Sequence, residues 1–503
     1  MNGRGSSQPG WLLGGAQLAA LLLALVVPAL LDFGYRLFDS EVLFIMGGAV
    51  ACGGLLSLLT FRAPLLLRLL FALLVICVLD FYFLASWYAV LLVAVVVVVL
   101  VVTRHHATVM QVGALGAALF AVLGVLSPRH SLLAPGLSAP RQAEIAHGGR
   151  PLLLHIVLDE QASPLAASAA ARAGGRLDRL LASYVRRGFA VQTGVRSDSG
   201  ATEISLALAF GPPGLPSGEL NLLGEGGGFT HRVQRNALLQ ELVDRQYQVS
   251  VIQNSFLQIC TVPAAQCQTY SRDNYGHAMR RFEGALGRRL RLLATLMHVE
   301  MLQDDARGIF LYRPLGEWAI RRGLVHSDPD RNYWTRPAAM LEIFDGLDTQ
   351  AHVMRPGEAW VAHVLLPHFP YMLDEKCGLR SYAGWSLPTW VTKELALAPL
   401  LNRLEADYWQ QVECVHARVL SLVDRLDQRL GPTNVRVLIH GDHGARLAKR
   451  RIRPKAERLQ AATPDASLDT LVLVRAPGMT AGVNADRIRL ADSIRSSYDA
   501  LLR

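Results

Sequence analysis

The chain lacks the marks of a nucleic-acid binder. It has no zinc-finger spacing, no RNP-type aromatic motif and no basic helix suited to a phosphate backbone. Its formal net charge of +9 therefore points to another anion, and anionic lipid is the better partner class. No internal repeat is evident. Charged residues are scarce at 18%, against 51% hydrophobic, and mean hydropathy is +0.26. That is too apolar for an ordinary soluble chain. The excess sits before about residue 130, and the remainder reads as a normal globular protein.

Cysteine is also sparse, with six in 503 residues. Cys52 and Cys77 fall in the apolar region, where a cysteine serves as a small packing residue. The other four, Cys260, Cys267, Cys377 and Cys414, suit an oxidising compartment by their even number. Cys260 and Cys267 form the natural local pair, with Cys377 and Cys414 as the other. Four free buried thiols are the alternative.

Long apolar runs are what the N-terminal part has in abundance. Five can be read: Trp11–Leu31, Val42–Phe61, Leu65–Leu84, Trp87–Thr103 and Ala107–Ser127. Each approaches the roughly 20 residues needed to cross a hydrocarbon core. Arg4, Arg62 with Arg68, and Arg104 then lie on one side, the cytoplasm. An odd number of spans puts everything after Ser127 outside. Four further spans and no clear small-residue cleavage site favour a retained first helix over a signal peptide. Asp80, within the third span, is either functional or a solvated head-group contact near its outer end. The expected organisation is a transmembrane domain over 1–130, a linker over 131–150 and an extracytoplasmic domain over 151–503. Residues 268–358 read as a helical insertion, whose basic stretch Arg280–Arg291 is either a solvated face or a lipid-facing one.

From Pro151 short apolar runs alternate with helical ones. Leu152–Leu158 (LLLHIVL) is followed by Asp159 and Glu160, and Val435–Ile439 (VRVLI) by His440-Gly441-Asp442-His443-Gly444. Leu471–Val474 is a third such run, and Leu400–Leu430 reads as a helix. This alternation predicts an α/β fold with a mostly parallel sheet covered by helices on both faces. Ligands in such sheets bind at the carboxyl ends of the strands. The first two runs place acids and a histidine there, a donor set suited to zinc or manganese. Alone, each group could equally be a turn or a helix cap.

A third element joins them. In Ser197–Leu206 (SDSGATEISL) a polar, glycine-containing loop runs into the apolar stretch Ile204–Phe210. A hydroxyl at that junction would sit at a helix N-terminus, where free N–H groups favour an anion. Thr202 is then either a metal-activated nucleophile or simply an N-cap with Glu203 in the first turn. His155, in mid-strand, reads as a core histidine and His363 as a structural one.

Together these segments resemble the alkaline-phosphatase superfamily, especially its membrane-bound branch of phosphoethanolamine transferases, lipoteichoic acid synthases and phosphoglycerol transferases. The resemblance covers the order and spacing of elements over nearly the whole chain, and Asp442-His443-Gly444 is its most specific part. It implies about five membrane helices before a sulfatase-like domain. It implies metal ligation by Glu160, with Asp159 beside it, and by Asp442, His443 and Thr202. Thr202 takes the place of the nucleophile, with Ser205 at the family's spacing of three. His368, in His363–Tyr371 (HVLLPHFPY), takes the place of a histidine facing the phosphate or sulfate.

Two departures stand out. The cysteine motif for formylglycine formation is absent, which argues against a true sulfatase and for phosphoryl chemistry. No histidine occurs in Arg446–Arg453 (RLAKRRIR), where the family often has one. Arg446 is the closest basic replacement to bind phosphate. The resemblance thus implies an integral protein of the inner membrane with its C-terminal domain on the periplasmic or extracellular side. It would move a phospholipid head-group phosphate ester to a lipid or glycan acceptor. A hydrolase of phosphate or sulfate esters, and an inert lipid-binding relative, are the alternatives.

Overall fold

The computed structural model describes residues 10–32, 35–60, 149–213, 221–224, 230–270, 346–378, 398–447 and 467–503, with a few isolated positions between them. The chain divides into two compact units, Met1–Ser131 with Asp273–Asn332, and Leu132–Arg272 with Tyr333–Arg503.

In the first unit two helices are described, α1 (Gly10–Asp32) and α2 (Ser40–Thr60). Small residues let them approach closely. A Cβ on Gly53 would lie 2.6 Å from the Ala19 nitrogen and 2.9 Å from the Gly15 carbonyl oxygen. Such contacts are the way apolar helices pack without a polar seam. Among the described residues one helix, Ser40–Leu59, is long and apolar enough to cross a membrane, and Gly15–Ala24 is a shorter apolar stretch. The expected third, fourth and fifth spans, Asp80, most of the 131–150 linker and most of the 268–358 insertion lie outside the described residues.

The second unit is built on a mixed sheet. Its strands are β1 (Leu152–Asp159), β2 (Ala190–Arg196), β3 (Gln248–Asn254), β4 (Gln266–Tyr270), β5 (Glu358–Pro367), β6 (Val435–Gly441), β7 (Asp469–Arg475), β8 (Gly482–Asn484) and β9 (Ile488–Arg489). Their order is β8-β2-β7-β6-β1-β5-β3-β4, with β9 also on β2. The pairs around β1, with β5 and β6, are parallel. The third apolar run departs from that pattern: β7 runs antiparallel to both β6 and β2. Its carboxyl end therefore lies at the opposite edge of the sheet from those of β1 and β6.

Every residue of β1 and β5 is buried, and both are dominated by apolar side chains, broken by His155 and His363 and by an acid at one end. One face is covered by α4 (Thr202–Phe210), the helix Ala237–Asp244 and α6 (Leu490–Leu501), which share a core with Leu153 and Val157. Alternation turns Leu154 and Ile156 to the other face. The long α5 (Ala398–Leu430) packs against β5 and β6, and α3 (Arg176–Val185) meets it through Tyr184, whose hydroxyl lies 2.7 Å from His416 Nδ1. Both expected disulfides are present, Cys260–Cys267 and Cys377–Cys414, while Cys52 is free.

Candidate metal centre

Three loops meet where β1, β5 and β6 end. β1 ends on Asp159 with Glu160 next, after β5 comes His368, and after β6 come Asp442 and His443. Crowding fixes the last of these: a Cβ on Gly441 would lie 2.7 Å from the Gln161 carbonyl oxygen and would also strike Thr470. Only glycine passes there, which delivers Asp442 next to β1.

Asp159, Asp442 and His443 each offer one ligand atom, all within 4.8 Å of one another, and all three residues are buried. His443 Nε2 is 3.4 Å from Asp442 Oδ2 and 3.8 Å from Asp159 Oδ1. On the other side of the ring, Nδ1 donates to the Gly444 carbonyl at 2.8 Å. That bond fixes the tautomer and leaves the Nε2 lone pair facing the two acids. Asp442 Oδ1 accepts the backbone N–H groups of Glu160 (3.0 Å) and His443 (2.8 Å).

Thr202 completes the group. It opens α4, but it is not the N-cap: Ala201 holds that position, with no side-chain cap. The Thr202 hydroxyl donates instead toward Asp159 Oδ1 at 3.3 Å and lies 3.4 Å from His443 Nε2. Both distances are long for a hydroxyl, so neither contact holds it firmly. Ser205, at the spacing of three, packs differently. One turn along α4 it is buried, donating to the Asp442 carbonyl at 2.5 Å and lying 2.8 Å from Ser197 Oγ. Ser205 therefore pins the Asp442 loop to the start of α4.

The two acids at the end of β1 face different partners. Asp159 faces Thr202 and His443, whereas Glu160 turns to Arg446, whose Nε donates to Glu160 Oε1. Arg446 Nη2 also donates to His368 Nε2 at 3.1 Å, and His368 Nδ1 donates to the Phe369 carbonyl at 2.6 Å. The reason lies in the backbone. Glu160 adopts φ +60°, a left-handed conformation costly for a residue with a Cβ. Tyr408 of α5 holds it there, donating to the Glu160 carbonyl and accepting the Ala162 N–H, both at 2.7 Å.

Electrostatics report the same crowding. Burial pushes the Asp159 carboxyl well above the usual carboxylate range, and the charges of Asp442 and Glu160 push the same way. Burial also works against the charged form of Asp442, but His443 and His363 outweigh it and the group ends below its usual value. Glu160 is likewise opposed by burial and ends low because of His368 and Arg446. Burial takes His368 down to about 4, with Glu160 pulling it up and Arg446 pushing it down.

A divalent cation fits this arrangement. Two buried carboxylate oxygens, Glu160 Oε2 and Asp442 Oδ2, have no hydrogen-bond partner. A buried acceptor left without a partner costs about 1–3 kcal/mol, which a cation would relieve. Carboxylate oxygen, imidazole nitrogen and a hydroxyl are the donors that zinc or manganese takes.

Four groups that hold the site escape sequence reasoning. Gln411 of α5 accepts the Met372 and Leu373 N–H groups and donates to the Pro367 and His368 carbonyls, fixing the His368 loop. His416 reaches Gln161 Oε1 at 3.0 Å. Tyr408 sets Glu160, and Ser197 sets Ser205. The available signal was a buried polar stripe: Tyr408, Gln411 and His416 recur on the face of α5 that also carries Val412, Val415 and Val419. His155 and His363 are core residues. His155 bonds to His440 and Tyr498, both at 2.8 Å, and His363 Nδ1 lies 3.2 Å from the Asn254 amide.

No protein-family model matches the chain, nor does any curated protein sequence. Among solved structures it is similar to the phosphonate monoester hydrolase SpPMH from Silicibacter pomeroyi, at 13% identity, covering 70% of this chain and 73% of that one, with a TM-score of 0.39. It is similar to the C-terminal periplasmic domain of EcEptC from Escherichia coli, at 12% identity, covering 71% and 83%, with a TM-score of 0.36. A 2-O GAG sulfatase, BT1596, is similar at 11% identity, covering 70% of each chain, with a TM-score of 0.40.

Proposed function

We propose that the chain is a membrane-anchored, metal-dependent phosphotransferase of the alkaline-phosphatase superfamily, with Thr202 as its nucleophile. The observation that carries the reading is the Thr202 hydroxyl. It caps no helix, and it sits between Asp159 and His443 at a helix N-terminus. Asp159, Asp442 and His443 would hold the cation, with the free Glu160 oxygen at its edge. Bound there, zinc or manganese would supply the positive charge that lets the Thr202 oxygen exist as an alkoxide.

The side chains set the rest of the chemistry. Thr202 would attack phosphorus in the head group of a membrane phospholipid, in line with the bond to the departing lipid alcohol. That bond breaks as the Thr202 oxygen–phosphorus bond forms, leaving diacylglycerol and phosphorylated Thr202. The open N-terminal turn of α4 and the rim residues Arg446 and His368 would bear the charge on the non-bridging oxygens. Arg446 is the stronger of the two, because it stays cationic while burial keeps His368 neutral at neutral pH. A lipid or glycan hydroxyl would then take the phosphoryl ester and restore Thr202. An anchor through the apolar N-terminal helices would keep donor and domain at one interface, outside the cytoplasm, where two disulfides are also at home.

Intact-mass and peptide analysis after brief exposure to mixed phospholipids tests this. The expected result is a phosphoryl ester on Thr202 in the wild type and none in Thr202→Ala. Diacylglycerol release without any adduct, undiminished in Thr202→Ala, would contradict the assignment.

A further inference from the structure

At the other end of the same sheet lies a second charged place, independent of the proposed reaction. Arg150 stands two residues before β1, Arg436 is the second residue of β6, and Arg245 caps the helix Ala237–Asp244 just before β3. In a parallel sheet these positions share the amino-terminal edge, opposite the metal centre. Between them opens a cavity of about 400 Å³, lined by Arg150, Arg245, Arg436, Arg503, Asp244 and Tyr247 among others. Arginine thus supplies four of its lining residues and acid only one.

That one acid does not balance them. Asp244 Oδ1 accepts Gln240 Nε2 at 2.8 Å, within its own helix. Arg245 pairs at 3.3 Å with Glu241, a largely exposed and therefore weak contact. The remaining partners are neutral: Arg150 donates to Gln246 Oε1 at 2.9 Å, Arg245 to the Leu502 carbonyl and Arg436 to the Leu501 carbonyl. Arg436 Nε is buried without a hydrogen-bond partner. Tyr247 feels all three cations: burial raises its hydroxyl pKa, while Arg436, Arg150 and Arg245 each oppose the rise. Like charges gathered around one hollow repel one another unless an anion enters. The planar guanidinium fork matches phosphate oxygens in pairs.

We propose that this cavity binds a phosphate-bearing anion, held by the guanidinium groups of Arg150, Arg245 and Arg436. The group is carried either by a free polyphosphate or by an anionic lipid head group. Both present the same oxygens, and the site stays separate from the catalytic edge.

Arginine footprinting tests this residue by residue. The full chain is placed in phosphatidylcholine nanodiscs and labelled with phenylglyoxal, with and without inorganic pyrophosphate. A parallel sample uses nanodiscs containing phosphatidylglycerol. Arg186, exposed on α3's end, is the reference. Saturable protection of Arg150, Arg245 and Arg436 together, severalfold beyond Arg186, is the expected result. Protection by pyrophosphate assigns a free anion, and protection by phosphatidylglycerol alone assigns the lipid. In Arg150→Gln/Arg245→Gln, protection of Arg436 should disappear. Equal protection of Arg186, protection of Arg436 that survives in the double variant, or no protection by either probe would overturn the proposal.

Discussion

The two edges of the central sheet carry opposite charge in opposite ways. At the carboxyl edge Asp159, Glu160 and Asp442 are fully enclosed, their backbones fixed and two of their oxygens unpaired. At the amino edge Arg150, Arg245 and Arg436 are partly or well exposed and bonded mainly to neutral carbonyl and amide groups. Burial makes the difference. Enclosed carboxylates with unpaired oxygens would gain most from a bound cation, as the proposed function requires. Cations that keep part of their solvation would suit the exchangeable anion proposed above.

Substitutions should respect that asymmetry. The largest effect is expected from Thr202→Ala, with turnover down by roughly three orders of magnitude or more and a nearly unchanged melting temperature. An unchanged rate would dissolve the distinction between the edges. Arg446→Gln comes next. It strands the buried Glu160 carboxylate and should cost about 2–3 kcal/mol in urea unfolding, with turnover at least tenfold lower. Stability equal to wild type would mean that Glu160 has another counter-charge.

Tyr408→Phe should be milder. It removes the donor to the Glu160 carbonyl and the acceptor for Ala162 N–H, at about 1–2 kcal/mol and a severalfold loss of rate. A pH test sharpens the acidic side. Asp159 has a raised pKa in the folded state, so its penalty is absent below the unfolded carboxylate pKa of about 3.9 and grows as pH rises through the folded value. Asp159→Asn in the presence of chelator should therefore stabilise the protein at pH 7, by about 1 kcal/mol or more, and change it little at pH 4. Equal effects at both pH values would contradict a buried, crowded Asp159. The smallest effect belongs to the amino edge: Arg150→Gln should shift stability in urea unfolding by no more than about 0.5 kcal/mol.

Much of the carboxyl edge was legible in the sequence because it is local. Largely apolar runs gave β1 and β6, and their carboxyl ends gave Asp159, Asp442 and His443. The polar loop before Ile204 gave the start of α4. What stayed hidden depends on long-range geometry. The antiparallel course of β7 follows from how the chain returns to the sheet, which Leu471–Val474 does not encode. The different facing of Asp159 and Glu160 depends on one positive φ and on Arg446, far along the chain. Tyr408, Gln411 and His416 act from α5, and no spacing near the acids refers to them. Ser205 matched the expected interval, yet helix geometry turned it toward the Asp442 carbonyl. The arginine cavity draws on four separate segments and leaves no motif at all.

Metal content of the full chain, purified without chelator as wild type and as Asp442→Ala, tests the central claim most directly. The account predicts stoichiometric zinc or manganese in the wild type, lost in the variant. A wild type that holds no metal, even when supplied in excess, would contradict it.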